Sequence, residues 1–123
     1  MNKLITWFEI PVLDLSRARA FYEQVFGVTL LDGSPTFPLM LIFPYDREQA
    51  TGGCLVTAEV RQPSRDGIGI YLNAGDSLDE TLGRVETAGG SVVVPKTALP
   101  PPMGFVAHIS DLDGNRIGLH AMK

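Results

Sequence analysis

The chain has 123 residues, close to the commonest size of a single domain and long enough to bury a hydrophobic core. Its net charge of −4 argues against a nucleic-acid partner, because phosphate binding needs clustered Lys and Arg. No apolar run is long enough to cross a bilayer, so no membrane partner is expected. Glu9 interrupts the apolar N-terminal stretch, which we interpret as a strand. The single cysteine, Cys54, suits a reducing compartment, and we expect a cytoplasmic protein.

The first half of the chain predicts a strand, a helix and three further strands. Residues 4–12 are rich in β-forming residues and predict the first strand. Residues 15–26 carry apolar side chains at three- and four-residue spacing, which predicts an amphipathic helix. Asp14 or Ser16 supplies its N-cap, and Gly27 suits its C-terminal end. Three short apolar segments predict the remaining strands: 28–31, 38–44 and 52–60.

The second half of the chain repeats this order. Residues 67–74 predict a strand, and Ser77 with Glu80 three residues later forms a capping box that begins a helix. Apolar residues between Leu78 and Ala88 predict the buried face of this helix. Three strands are predicted after it, with an extended proline-rich loop before the second of them: strands at 91–95, 104–110 and 115–122, and the loop at 96–104.

We therefore predict an α+β fold of two tandem βαβββ modules in one domain, at about 1–62 and 63–123. A ferredoxin-like sandwich is the competing arrangement. In either fold, each sheet has one helix-covered face and one face free to curl around a ligand. Gly118 lies inside the last predicted strand, where a glycine usually marks a bulge or a close approach by another group.

Four segments together resemble the vicinal oxygen chelate superfamily, which includes glyoxalase I, bleomycin-resistance proteins and extradiol dioxygenases. They are WFEIPVLDLSRARAFYEQVFG, GGCLV, DSLDETLGRVETAGGSVVVPK and GFVAHISDLDGNRIGLH. The nearest resemblance is to an uncharacterised branch of predicted enzymes related to lactoylglutathione lyase, which reads WFEIP near its start and GNRIGLH near its end. The resemblance implies mixed sheets that curl into a cup. It also implies a homodimer, because family members build each cup from two modules, within one chain or between two.

Metal-dependent members of this family hold a divalent ion in the cup with four side chains, mainly His and Glu. The resemblance carries these positions onto Trp7, the neighbourhood of Leu55, residues 67–70 and Gly118, and none of them offers His or Glu. We therefore expect no metal and no other cofactor. We expect instead a pocket for a flat or apolar small molecule, with Trp7 as a wall and a gap at Gly118. The alternative is that Trp7 simply fills the space that the glycines leave.

The remaining polar residues suggest further roles in the cup. Strand alternation puts Glu9 on the face of Trp7, and His120 on the face of Gly118. Glu9 and His120 are therefore our candidates for an acid–base pair. The alternatives are a structural hydrogen bond between them, or displaced metal ligands with His108 as the third. Tyr71 is expected to present its hydroxyl to the cup; the alternative is a tyrosine that only packs at the rim. Lys96 is expected to contact an anionic ligand at the mouth of the cup; the alternative is a solvated lysine.

The leading functional prediction is a small-molecule protein of this fold without the metal site. It would act as a binding or sequestering module, as bleomycin-resistance proteins do, or as a metal-independent enzyme using Glu9 and His120. One rival is a metal-dependent lyase, isomerase or dioxygenase whose ligands are Glu9, His108 and His120. Another is a structural or interaction module whose cup is filled by its own side chains. The sequence does not separate these.

Overall fold

The computed structural model describes residues 5–33, 39–59 and 61–123. In chain order its elements are β1 (Trp7–Val12), α1 (Leu15–Phe26), β2 (Leu31–Asp32), β3 (Met40–Ile42), β4 (Gly52–Thr57), β5 (Tyr71–Asn73), α2 (Leu78–Val85), β6 (Ser91–Ala98), β7 (Phe105–Ser110) and β8 (Arg116–Ala121).

These strands form two separate four-stranded sheets, one for each module. The first sheet has the order β1-β4-β3-β2 and the second has the order β5-β8-β7-β6. In each sheet the first strand of the module pairs in parallel with the last, and the other pairs are antiparallel. The predicted α+β fold of two βαβββ modules is therefore confirmed. The two sheets do not close into a cup within one chain.

The two modules share one hydrophobic core. Each helix packs on its own sheet, and the two helices also contact each other. Buried apolar side chains from both modules form a single cluster, in which Phe21, Leu55, Leu78 and Leu119 are fully or almost fully buried. We call the helix-covered side of each sheet its inner face and the opposite side its outer face. Because burial of apolar area is the main stabilising term, the inner faces hold the modules together.

Local sequence signals place both ends of α1 and the start of α2 correctly, but α2 ends at Val85, before the predicted Ala88. The Asp14 side chain accepts a hydrogen bond from the Arg17 backbone N–H at 3.1 Å, and Gly27 ends α1 in the left-handed conformation at φ 65°. The Ser77 hydroxyl accepts from the Glu80 backbone N–H at 3.4 Å at the start of α2. The predicted helix of residues 15–26 is therefore confirmed at both ends.

Several predicted boundaries differ from the observed ones, two of them substantially. The strand predicted at 67–74 is only Tyr71–Asn73, and the glycine-containing segment before it is irregular. The loop predicted at 96–104 begins later, because β6 continues to Ala98, where it pairs with Phe105. The prolines that exclude regular pairing begin only at Pro100. Four other predicted strands extend beyond the observed strands or beyond the described residues: 4–12, 28–31, 38–44 and 52–60.

A polar turn at 111–115 ties the second module to the first. The Asp111 carboxylate accepts hydrogen bonds from the Tyr22 hydroxyl at 2.7 Å and from the Asn115 side-chain amide at 2.9 Å. The same Asn115 amide donates to the Pro11 carbonyl at 2.8 Å, at the far end of β1. Because these groups are buried or partly buried, their hydrogen bonds fix how β8 sits against α1 and β1.

Candidate functional site

The candidate residues occupy the outer faces of the two sheets. In the parallel pairing of β1 with β4, Trp7 lies beside Gly52 and Glu9 beside Cys54, so Trp7, Glu9 and Cys54 share one outer face. In the pairing of β5 with β8, Tyr71 lies beside Gly118 on the other outer face. Trp7 is 37% exposed and Tyr71 is 54% exposed. Each outer face therefore presents an aromatic ring at the start of its edge strand.

The strand pairing makes two of the four positions carried over from the family more specific. Leu55 lies on the inner face as part of the hydrophobic core, so it cannot line a cup formed by the outer face. The neighbouring residue on the outer face is Cys54. Cys54 is the third residue of β4 and Gly118 is the third residue of β8, so the two hold equivalent positions in their modules. Trp7 and Tyr71 are likewise the first residues of β1 and β5. The equivalent set is therefore Trp7, Cys54, Tyr71 and Gly118.

This set does not fit the family's divalent metal. Of its four side chains only the Cys54 thiol is a common ligand, and thiols bind metals as thiolates. Burial, followed by the nearby Glu9 carboxylate, raises the pKa of Cys54 to about 11, which disfavours the thiolate. Within 5–33, 39–59 and 61–123, no group of three or more His, Cys, Asp or Glu side chains is placed to hold a metal ion. The alternative ligand set of Glu9, His108 and His120 is therefore not assembled in one chain.

Gly118 does not leave the predicted gap. A Cβ atom at this position would lie 2.5 Å from Tyr71 Cδ1 and 2.8 Å from the Ile70 carbonyl oxygen. Gly118 is flanked by Tyr71 on one neighbouring strand and by His108 on the other. The Tyr71 ring lies across the glycine, and its hydroxyl oxygen is 2.9 Å from His108 Nε2. The glycine therefore makes room for Tyr71 to cross β8 and reach His108.

The protonation of His108 follows from its two partners. Arg116 Nε donates to His108 Nδ1 at 3.2 Å, and since arginine has no acceptor, Nδ1 must be unprotonated. The neutral ring then carries its hydrogen on Nε2 and donates it to the Tyr71 oxygen. Burial, followed by the charge of Arg116, lowers the pKa of His108 below 6.5, which favours this neutral form. The Tyr71 hydroxyl hydrogen is left to point towards other acceptors on the outer face.

The structure does not bring the proposed acid–base pair together within one chain. Glu9 forms an ion pair with Arg61 and lies 3.9 Å from the Cys54 sulfur. His120 belongs to the other sheet, where its Nε2 bonds the Met103 carbonyl at 2.8 Å. Among the described residues no hydrogen bond or ion pair joins Glu9 to His120. The catalytic role of this pair stays a prediction that requires a second chain.

Lys96 lies away from the outer faces. Its Nζ is 3.1 Å from the Asp79 carboxylate on α2 and 4.5 Å from the centre of the Phe105 ring. Both partners belong to the helix-covered side of the second sheet. The prediction that Lys96 meets a ligand at the mouth of the cup is therefore not supported by its position, because an ion pair and a cation–π contact already engage its ammonium group.

Trp7 does not fill the space that the glycines leave. The space above Gly52 is taken by the ring of Tyr45, which a Cβ atom at position 52 would meet at 2.5 Å. Trp7 packs edge-on against Tyr45, with ring centroids 6.1 Å apart, and its side chain also hydrogen-bonds Cys54. Its other side borders a cavity of about 750 Å³ between β1, the segment 61–70 and the start of β8, which the ion pair of Glu9 and Arg61 also lines. Trp7 is therefore available as a wall of this cavity.

The comparison with known families is decisive for the fold. The profile of the Glyoxalase/Bleomycin resistance protein/Dioxygenase superfamily matches residues 4–119. The chain belongs to this superfamily. No protein of curated function matches it.

Solved structures give the same result. A glyoxalase/bleomycin resistance protein from Streptomyces sp. CB03234 is 30% identical, with a TM-score of 0.69, and the match covers 94% of this chain and 98% of that one. TnmS3, an antibiotic-binding protein from the same organism, is 29% identical with a TM-score of 0.70, over 100% and 99% of the two chains. The fosfomycin resistance protein FosX from Listeria monocytogenes is 18% identical, with a TM-score of 0.67 over 100% and 93%, and shows the shared fold alone.

Sequence reasoning assigned no outer-face role to two arginines, Arg61 and Arg116. Arg61 lies in an irregular segment, where no periodicity predicts what its side chain contacts. Arg116 lies two residues before Gly118 in the same strand, so the alternation of side chains along a strand predicts that both lie on the outer face. Its hydrogen bond to His108 could not be predicted in this way, because that bond depends on the pairing of β7 with β8.

In the part of the chain that is described, no helix has the length and apolar character needed to span a membrane.

Proposed function

We propose that this protein binds a flat aromatic small molecule against its outer faces, without the family metal, and sequesters it in the cytoplasm. The observation that carries the proposal is the pair of exposed aromatic rings, Trp7 and Tyr71, at equivalent positions beside open cavities. Aromatic rings that are partly exposed bury a large area against a planar ligand. The 29% identity with the antibiotic-binding protein TnmS3 over the full chain supports an antibiotic-like ligand.

We further propose that two copies of the chain form each cup. β1 and β5 are edge strands of their sheets, and the apolar side chains next to them are exposed, with Ile68 97% exposed. Joining the first sheet of one protomer to the second sheet of its partner at these edges would make two identical cups, as two-fold symmetry requires. Trp7 and the partner's Tyr71 would then contact one ligand. Acid–base chemistry by Glu9 with the partner's His120 would depend on the same assembly.

Metal-dependent lyase, isomerase or dioxygenase chemistry is the less favoured proposal. The equivalent outer-face positions hold Trp7, Cys54, Tyr71 and Gly118, and this set lacks the carboxylate and imidazole donors that such chemistry uses. No geometric observation favours it over simple binding.

The dimer is tested by sedimentation velocity at micromolar concentration. We expect a species of about twice the 13.3 kDa chain mass. Ile68→Asp should shift it towards monomer, because a charge would have to be buried at the joined edges. Leu13→Asp is the matched control, since Leu13 is also an exposed apolar residue but lines neither the cavity beside Trp7 nor the cavity beside Tyr71. A monomer at every concentration would contradict the composite cup.

Aromatic binding is tested with phenylnaphthylamine, a neutral dye that fluoresces in apolar pockets. We expect saturable binding, with energy transfer from Trp7, the single tryptophan of the chain. Trp7→Ala and Tyr71→Ala should each weaken dye affinity by about tenfold, which is the usual effect of removing an aromatic anchor. Leu13→Ala should leave the affinity unchanged. Absence of saturable binding, or equal affinity in all variants, would refute the proposed function.

A further inference from the structure

A second cavity on the outer face of the second sheet carries an excess of positive charge. It has a volume of about 280 Å³ and adjoins Gly118 and His108. Its charged lining residues are Arg65, Asp66 and Arg116, so its lining carries two guanidinium groups and one carboxylate. Most of the remaining lining is the glycine-containing segment 67–70. A cavity of this size has room for the small charged group of a larger ligand.

Arg116 is held in this cavity by a neutral partner. Its Nε donates to His108 Nδ1, and the ring is neutral because Nδ1 must accept that hydrogen bond. Three other cations are paired with carboxylates: Arg19 with Asp32, Arg61 with Glu9, and Lys96 with Asp79. Across 5–33, 39–59 and 61–123, no carboxylate lies within ion-pair distance of Arg116. Its guanidinium is therefore oriented but its charge is not compensated.

Tyr71 adds a second donor next to this cavity. Because His108 Nε2 donates to the Tyr71 oxygen, the tyrosine hydroxyl hydrogen is free to bond a ligand atom. Arg116 and Tyr71 thus contact opposite ends of one imidazole ring. A planar guanidinium fork and a phenolic hydroxyl suit an oxyanion, since charge-assisted hydrogen bonds are the stronger ones.

We propose that this cavity binds an anionic oxygen group of the ligand, a carboxylate, sulfonate or phosphonate, with Arg116 as the direct contact. The proposal rests on the proposed function, because the aromatic part of the same ligand would lie against Tyr71. His108 acts as a positioning residue that orients the guanidinium. The ligand class is therefore an aromatic acid.

Two dyes that differ by one group test this site. Anilinonaphthalene sulfonate carries the ring system of phenylnaphthylamine together with a sulfonate. We expect Arg116→Gln to weaken sulfonate binding by about tenfold and to leave the neutral dye unchanged. Arg47→Gln, which removes the same charge from an exposed position outside the cavity, should change neither affinity. His108→Gln, which keeps an acceptor for Arg116, should retain more sulfonate affinity than His108→Ala.

The outcomes separate this site from the proposed function. If both dyes bind and Arg116→Gln behaves as Arg47→Gln does, the anion site is refuted and aromatic binding stands. If neither dye binds the native protein, both proposals are refuted. Thermal unfolding of each variant shows whether the fold is retained. The affinity of the Arg116→Lys variant for the sulfonate dye gives a second test. Lysine keeps the charge but lacks the planar fork, so an intermediate affinity for the sulfonate is expected.

Discussion

Replacing Asp111 by alanine is expected to lower the free energy of unfolding by about 3–5 kcal/mol. Asp111 is only 5% exposed, and its carboxylate accepts from the Tyr22 hydroxyl, from the Asn115 side chain, and from the backbone N–H groups of Asp113 and Asn115. Burial, followed by the Asp111 charge, raises the pKa of Tyr22 well above its ordinary value, so its hydroxyl keeps the proton that it donates. Alanine would leave these buried donors without an acceptor.

Urea denaturation of the native protein and of the Asp111→Ala variant measures this loss of stability. Tyr22→Phe is the matched control, because it removes one donor and leaves the other three bonds of Asp111 in place. Its expected cost is about 1–2 kcal/mol. Because Asn115 also bonds the Pro11 carbonyl, we expect the Asp111 variant to unfold as one cooperative unit at lower urea. A variant as stable as the native protein would show that the turn does not join the modules.

Replacing Gly118 by alanine is expected to cost about 1–3 kcal/mol and to break the hydrogen bond between Tyr71 and His108. The new methyl group would lie 2.5 Å from the Tyr71 ring and 2.8 Å from the Ile70 carbonyl oxygen, so both a side chain and a backbone segment must move. Gly118 has no positive φ, so the cost is steric and not conformational.

Urea denaturation measures the stability, and NMR of the imidazole nitrogens measures the hydrogen bond. Gly69→Ala is the control, because a Cβ atom at position 69 would meet nothing within 4 Å. The control should keep both the native stability and the native His108 signals. Equal stability of the two variants would mean that the Tyr71 ring can move away from position 118 without cost. That result would contradict the proposed role of Gly118 in making room for Tyr71.

The sequence by itself determined the elements whose signals are local. Asp14 and Gly27 mark the ends of α1 because capping uses the side chain or the φ angle of the capping residue itself. The repeated order of elements, together with the segments that resemble the family, determined the fold of two βαβββ modules. Strand parity also placed Trp7 with Glu9, and Gly118 with His120, because alternation depends only on extended backbone.

Only the tertiary structure decided which side chains meet. Strand register selects Cys54 rather than Leu55 for the outer face, and a slip of one residue would reverse every side chain of the strand. Tyr71 covers Gly118 and bonds His108 because three strands place these residues side by side, although they are distant in sequence. Lys96 faces α2 because β6 packs under that helix. These contacts depend on pairing between distant segments, which no local pattern encodes.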